Sequence, residues 1–339
     1  DPVTGVFRGV IAGCGYFSRH HLEAWRRIEG VEITATCDSD PARARAAGLA
    51  AYTSADQMLE KERPHFLDLV TRPETHLELI RTAASRGVAV ICQKPLAPVW
   101  GEAVEILRIA RSAGIRLMAH ENWRWQPWYR EAARLIRQGA IGQPHAYCLR
   151  MRHHEGRGDD PFPAQPYFRD MPRFLVYEIL IHHLDTARFL FGEIETVCAE
   201  LARLNPAMRG EDRAVITVRH QSGLTGVIDG HTLHPSASGV ALGDAWFEGG
   251  NGRLALDPNG NLWTERGCVW RNDVAAGYRG DSVRAAQAHF IECLRSGAPF
   301  ETDIEEYLRS MAAMEACYLS AERKAIVSPL KFLVDSQSE

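Results

Sequence analysis

Short β-branched runs alternate with helical stretches up to about residue 123, and that alternation restricts the chain more than any single residue does. VFRGVIA is followed by FSRHHLEAWRRI, VEITATC by PARARAAGLA, FLDLV by PETHLELIRTAAS and VAVIC by VWGEAVEILRIARSAG, and RLMAH closes the series. Strands that alternate with helices of this length pair in parallel, because a right-handed crossover returns each strand to the same sheet and covers both faces. A doubly wound α/β sheet is expected. After one more helix, PWYREAARLIRQG, the strands lengthen and are joined by Gly, Asn and Asp: PHAYCLRMRHH, ETVCAELARL, RAVITVRH, GLTGVIDGHT, DAWFEG, GRLALD and NLWTER. These read as a large, open, mostly antiparallel sheet. Helices over VRAAQAHFIECLRSG and IEEYLRSMAAMEACYLSAERK close the chain. The expected division is an α/β domain over 1–123 and an α+β domain over 124–339.

At 339 residues and 45% apolar content the chain can bury two cores. A formal charge of −4 with no basic block disfavours nucleic acid and anionic membranes as partners, which leaves a small molecule. The eight cysteines (14, 37, 92, 148, 198, 268, 293 and 317) form no C-x-x-C pair. That pattern fits reduced thiols and a cytoplasmic setting, and it argues against structural zinc. The first residues show no basic region ahead of a long apolar run, and no apolar run approaches membrane-spanning length.

VIAGCGYFS places Gly13-x-Gly15-x-x-Ser18 after a strand and before a helix, the context a dinucleotide fingerprint requires. Gly13 permits the tight turn and Gly15 lets the backbone approach a pyrophosphate. The helix opening beyond Tyr16 and Phe17 offers its amides to negative charge. Ser18 departs from the usual Gly or Ala, and alone the motif also reads as an ordinary strand-helix turn; with the acid that follows, a Rossmann domain is expected. The second strand ends at Asp38, about 20 residues on, where an acid can accept bonds from the adenosine ribose hydroxyls. Asp38 would repel a 2′-phosphate and Ser39 rather than Arg follows it, so NAD is expected over NADP.

The strand FLDLV runs into Thr71, Arg72 and, further on, His76. VAVIC runs into Gln93 and Lys94, and RLMAH into Asn122. Ligands of open α/β sheets sit beyond the carboxyl ends of the strands, so these residues are expected on the cofactor-facing rim. Farther along, Glu178, His182 and Asp185 are spaced four and three apart in RFLVYEILIHHLDTARFLFG. At about 100° per residue they share one helix stripe, surrounded by apolar positions. By itself that stripe reads as either a structural hydrogen-bond cluster or a site.

Together these segments resemble the glucose-fructose oxidoreductase, inositol dehydrogenase and rhizopine-catabolism (Gfo/Idh/MocA) oxidoreductases. The resemblance rests on GCGYFSRHH, on TRPETH after a strand and on QKP where the family usually shows EKP. It rests further on ENWRWQP against N-x-R-x-x-P, and on His182 and Asp185 against H-x-x-D. It implies that Lys94 and His182 are the catalytic pair, that the second domain binds substrate, and that its sheet mediates a homodimer or homotetramer. The stretches ENWRWQPWYRE and QPYFRDMPRF are similar to a branch that includes D-apiose dehydrogenases, which oxidise a branched pentose to its lactone. The chain departs from the family at Gln93, at Glu178 where many members have Asp, and at PRFLVYE where a glycine-rich run is usual.

The implied reaction is transfer of hydride between a nicotinamide and a hydroxyl-bearing carbon of a sugar or polyol. His182 would serve as general base, Glu178 would orient it, and Lys94 would favour negative charge on the reacting oxygen. Arg124, Arg152, Tyr167 and Arg169 are candidate substrate donors. The rival class is an NAD-responsive binding protein without turnover, against which the retention of both Lys94 and His182 argues. A metal enzyme built on His182, His183 and Asp185 with His153 and His154 is disfavoured. Adjacent helical residues diverge by about 100°, so no metal is expected.

Overall fold

A computed structural model describes residues 5–274 and 276–335. Its first strands are β1 (Phe7–Ala12), β2 (Val31–Cys37), β3 (Ala50–Tyr52), β4 (Phe66–Leu69), β5 (Ala89–Gln93) and β6 (Leu117–His120). They alternate with α1 (Ser18–Trp25), α2 (Pro41–Arg45), α3 (Ala55–Glu62), α4 (His76–Ala84) and α5 (Trp100–Ala113). The six strands run parallel in the order β3-β2-β1-β4-β5-β6. The order reverses between β1 and β4, which is where a doubly wound sheet opens a crevice at its carboxyl edge. Every residue of β4 is buried, as a strand covered by helices on both faces must be. β3 and α3 were not legible in the sequence. A three-residue edge strand with exposed or half-exposed side chains carries no apolar run to recognise.

The next elements are α6 (Pro127–Arg137), β7 (Pro144–Arg152), α7 (Ile181–Phe191), β8 (Ile194–Ala202), β9 (Arg213–His220) and β10 (Thr225–His231). β11 (Gly243–Gly249), β12 (Gly252–Leu256), β13 (Leu262–Thr264) and β14 (Gly267–Trp270) follow. These strands form a sheet in the order β14-β13-β12-β11-β7-β10-β9-β8. Its pairings are antiparallel except β7 with β10, which run parallel from Thr225 beside Ala146 to His231 beside Arg152. Alternating burial along β9 and β11 shows one covered and one open face. α8 (Ser282–Ser296), α9 (Ile304–Arg323) and α10 (Leu330–Asp335) complete the described chain.

The chain divides into two compact units, 1–122 with 281–308 and 123–280 with 309–339. The sequence boundary assigned Asp281–Leu308 to the second domain. In the structure that stretch packs with the parallel sheet, where the Thr302 hydroxyl and carbonyl bond the backbone of Ala119 at 2.7 and 2.9 Å. Among the described residues no helix is long and apolar enough to cross a membrane.

Candidate active site

At the carboxyl end of β1 the chain turns through Gly13 at φ +94°, where an added Cβ would lie 2.6 Å from the Val70 carbonyl. Only glycine fits that combination of backbone and space. Gly15 differs, since a Cβ there would meet nothing within 4 Å and its backbone borders open space. The Ser18 hydroxyl donates to the Gly15 carbonyl at 2.7 Å, tying the loop to the first turn of α1. Asp38, just past β2, braces the same loop. Its two carboxylate oxygens accept the Cys14 amide at 2.8 Å and the Asp40 amide at 2.9 Å. Each oxygen retains a lone pair for a ribose hydroxyl. Ser39 and Tyr16 are exposed, with the Arg19 guanidinium 4.1 Å over the Tyr16 ring, and Phe17 is half-buried against His21. Burial, reinforced by Asp38, pushes the Cys14 thiol up to about 12, so it stays uncharged beside the loop. The open backbone at Gly15, the glycine-only turn and a partly exposed carboxylate fit a dinucleotide.

The ends of β4 and β5 lie on the same edge. Thr71 is half-buried and its hydroxyl accepts from Thr75 at 2.7 Å, while Arg72 is exposed. His76 is not on the rim as expected. It is fully buried, with its ring nitrogens 2.9 Å from the Leu96 carbonyl and 3.1 Å from the Thr71 carbonyl. It braces the loops after β4 and β5, and burial holds its pKa below the usual histidine range. Asn122 is likewise buried, and its amide donates to the Ser282 hydroxyl at 2.8 Å. Gln93 is 7% exposed, and its Oε1 accepts the backbone N–H of half-buried Lys94 at 2.9 Å.

In the second unit, the helix expected within RFLVYEILIHHLDTARFLFG begins as a wider π-turn, Leu175–Leu180, before α7 takes over. Its first amides are held from outside the segment. Glu211 accepts the amides of Phe174 and Val176 on its carboxylate, at 3.2 and 3.0 Å, and the amide of Leu175 on its carbonyl. The Tyr318 hydroxyl takes the Tyr177 amide at 3.1 Å and donates to Glu211 at 2.5 Å. The Ile181 amide then reaches the Val176 carbonyl, five residues back. Half-buried Glu178 therefore stands on a wider turn than the even 100° spacing assumed. His182 and Asp185 both lie on α7 and keep their α-helical spacing.

His182 is 6% exposed and its ring stacks on Trp123, centroids 4.5 Å apart and planes 16° from parallel. His183 is buried, and desolvation together with the neighbouring His182 lowers its pKa to about 3. Asp185 is fully buried. Arg124 clamps it with two bonds of 2.7 Å and the Ser310 hydroxyl adds a third at 2.7 Å. Burial would raise the Asp185 carboxyl, but the charge and bonds of Arg124, with Arg188 and the Ser310 hydroxyl, together outweigh it and hold the pKa below the usual range. The other expected substrate donors also have protein partners. Arg152 bonds Asp229 and the carbonyls of Met151 and Asp229, Arg169 bonds Asp160, and the Tyr167 hydroxyl accepts from Gln165 at 3.0 Å.

Residues 7–121 match the model of an oxidoreductase family with an NAD-binding Rossmann fold, and residues 129–253 match the Gfo/Idh/MocA C-terminal domain. This chain belongs to the Gfo/Idh/MocA family. D-apiose dehydrogenase of Paraburkholderia graminis is 38% identical over 93% of this chain and 88% of its own length. D-apiose dehydrogenase of Rhizobium rhizogenes is 32% identical over 93% and 95%. An Agrobacterium radiobacter oxidoreductase, solved in complex with NAD+, L-tartaric acid and magnesium, superposes with a TM-score of 0.88. It is 30% identical and covers 95% of this chain and 98% of that one.

As a Gfo/Idh/MocA protein, the chain is an NAD-binding oxidoreductase. Within its family motifs, the arginine of N-x-R-x-x-P and the aspartate of H-x-x-D prove to be partners, Arg124 and Asp185. That accounts for Arg124 without a substrate. Sequence reasoning missed Trp123, which stacks on the His182 ring, and Glu211, which holds the first amides of the turn carrying Glu178. It also passed over Asp68, whose signal was available: one carboxylate inside the apolar run FLDLV.

Proposed function

We propose that this protein oxidises a hydroxyl-bearing carbon of a sugar or polyol, with D-apiose and its lactone as the favoured substrate and product. Lys94 and His182 are its catalytic pair. The observation that carries the substrate is the 38% identity to a D-apiose dehydrogenase across nearly the full chain. NAD, bound across Gly13–Gly15 and Asp38, supplies the acceptor for the hydride that leaves carbon.

The protein's own part is proton handling and positioning. His182 accepts the proton of the reacting hydroxyl, its ring held in one plane by Trp123. The Lys94 ammonium donates to the same oxygen and stabilises the charge that develops as the proton departs. Glu178 orients and stabilises the imidazolium. The second unit supplies substrate contacts, and its eight-stranded sheet supplies the subunit interface of a homodimer or homotetramer. Both roles fit a cytoplasmic enzyme of sugar breakdown.

The test is the rate of nicotinamide reduction with D-apiose, other pentoses and inositol. Lys94→Ala and His182→Ala should each lower kcat by roughly 10²–10⁴-fold while NAD binding, read by thermal shift, persists. Full turnover in either folded variant would remove that residue from the mechanism.

A further inference from the structure

The middle of the parallel sheet holds a carboxylate that its strand does not call for. β4 reads Phe66, Leu67, Asp68, Leu69, all buried, and Asp68 is fully enclosed. A charge in such a place is costly unless hydrogen-bonded. Its Oδ2 accepts the Trp25 indole N–H at 2.6 Å and lies 2.7 Å from His21 Nδ1. Both partners belong to α1, the helix that opens on the glycine loop.

The bonding continues in one direction. An ionised Asp68 can only accept, so the His21 proton sits on Nδ1 and leaves Nε2 as an acceptor. The Gln93 amide nitrogen donates to that Nε2 at 2.9 Å and stands 3.5 Å from His120 Nδ1. The other end of the same amide accepts the Lys94 backbone N–H at 2.9 Å. An amide at position 93 satisfies both neighbours at once, being a donor toward imidazole and an acceptor toward Lys94. A carboxylate has no proton to offer His21.

We propose that Asp68, His21 and Gln93 are positioning residues for Lys94. They form a buried relay of hydrogen bonds from the helix of the nucleotide loop to the backbone of the reactive lysine, and that relay sets where its ammonium stands. The inference rests on Lys94 being catalytic, as assigned above. If space-filling were all that position 68 required, a third apolar residue between Leu67 and Leu69 would serve without burying a charge.

Gln93→Glu, Gln93→Met and Asp68→Leu test the relay, with Lys94→Ala alongside. On the full chain, kcat and KM for D-apiose are measured across pH, together with NAD affinity, Tm and hydrogen exchange at the Lys94 amide. The carboxylate that Gln93→Glu introduces would lie between His21 and His120, with Asp68 behind His21, Lys94 beside it and Glu121 following His120. Its bond to His21 then requires an extra proton. Gln93→Glu is expected to work at the acid end and to lose kcat at a lower pH than the wild-type protein does. Gln93→Met and Asp68→Leu are expected to lose roughly 10–100-fold in kcat at every pH, with NAD affinity changed by less than about threefold. The Lys94 amide should exchange at least about tenfold faster in Gln93→Met. If Asp68→Leu does not fold, the two Gln93 variants decide. Suppose Lys94→Ala is inactive while both folded Gln93 variants keep the wild-type kcat, pH profile and amide protection; the relay is then only structural and the inference is overturned. A fully active Lys94→Ala would instead remove the catalytic assignment, and the inference with it.

Discussion

Replacing Arg124 by Met is expected to show how much of the second unit depends on one ion pair. Asp185 is fully buried and Arg124 only 8% exposed, so neither charge can fall back on water. Removing one partner of such a pair costs about 3–5 kcal/mol, because the other is left buried and uncompensated. Arg188 Nη1, 3.9 Å from Asp185, and the Ser310 hydroxyl remain, which favours the lower end of that range. For a unit of this size the loss corresponds to a fall in Tm on the order of 10 °C. The pH dependence has a definite sign. In the wild-type protein burial acts to raise the folded pKa, and Arg124, with Arg188 and Ser310, offsets it and keeps the folded pKa below the ordinary 3.8. The contribution of the pair is therefore fully present above the unfolded pKa and is lost as pH falls through the depressed folded one. Without the guanidinium, burial raises the folded pKa above the unfolded value, and folding then takes up a proton. The deficit of the variant should be greatest near neutrality and shrink in acid. Thermal melts followed by circular dichroism at about pH 7 and about pH 5 read both effects. Arg124→Met combined with Asp185→Leu should recover most of the loss, because no orphan charge remains. A single variant melting within about 2 °C of wild type, or a deficit that grows in acid, would refute the reasoning.

Three further outcomes follow from named groups. His183 binds its proton only near pH 3 when folded but near 6.5 when unfolded, so between those values the unfolded chain holds more protons and stability falls as pH falls. His183→Leu should flatten that slope in a melt series, and an unchanged slope would show that another group causes it. Gly15→Ala opens into empty space and should leave Tm within about 1 °C while weakening NAD binding at least roughly tenfold. Gly13→Ala meets the Val70 carbonyl at φ +94° and should cost about 1–3 kcal/mol in a denaturant titration. Equal effects of the two on stability would undo the distinction drawn between turn and approach.

What could be read beforehand was local. Apart from β3 and α3, each parallel strand and its helix announce themselves within about a dozen residues, and the glycine spacing with Asp38 stands in one continuous stretch. The parallel β7–β10 pairing was hidden because register between strands some 80 residues apart is set by the finished sheet. The partners of the π-turn's first amides were hidden for the same reason, since Glu211 and Tyr318 are distant in sequence from the amides they hold. Strand ends tell which edge a residue occupies but not which way it turns. Lys94 and His76 both follow parallel strands, yet one is half-exposed and the other is a buried brace. Arg124 and Asp185 each carried a motif, and only the fold shows that the two motifs hold one another.

The reaction itself is tested most directly by following the transferred atom. With D-apiose deuterated at its anomeric carbon and unlabelled NAD, the account expects one deuterium in the reduced nicotinamide for each sugar oxidised, at a rate lowered roughly 10²–10⁴-fold in Lys94→Ala. Reduced cofactor free of label, or no reduction by the wild-type protein with D-apiose or with any of the other pentoses and inositol, would contradict it.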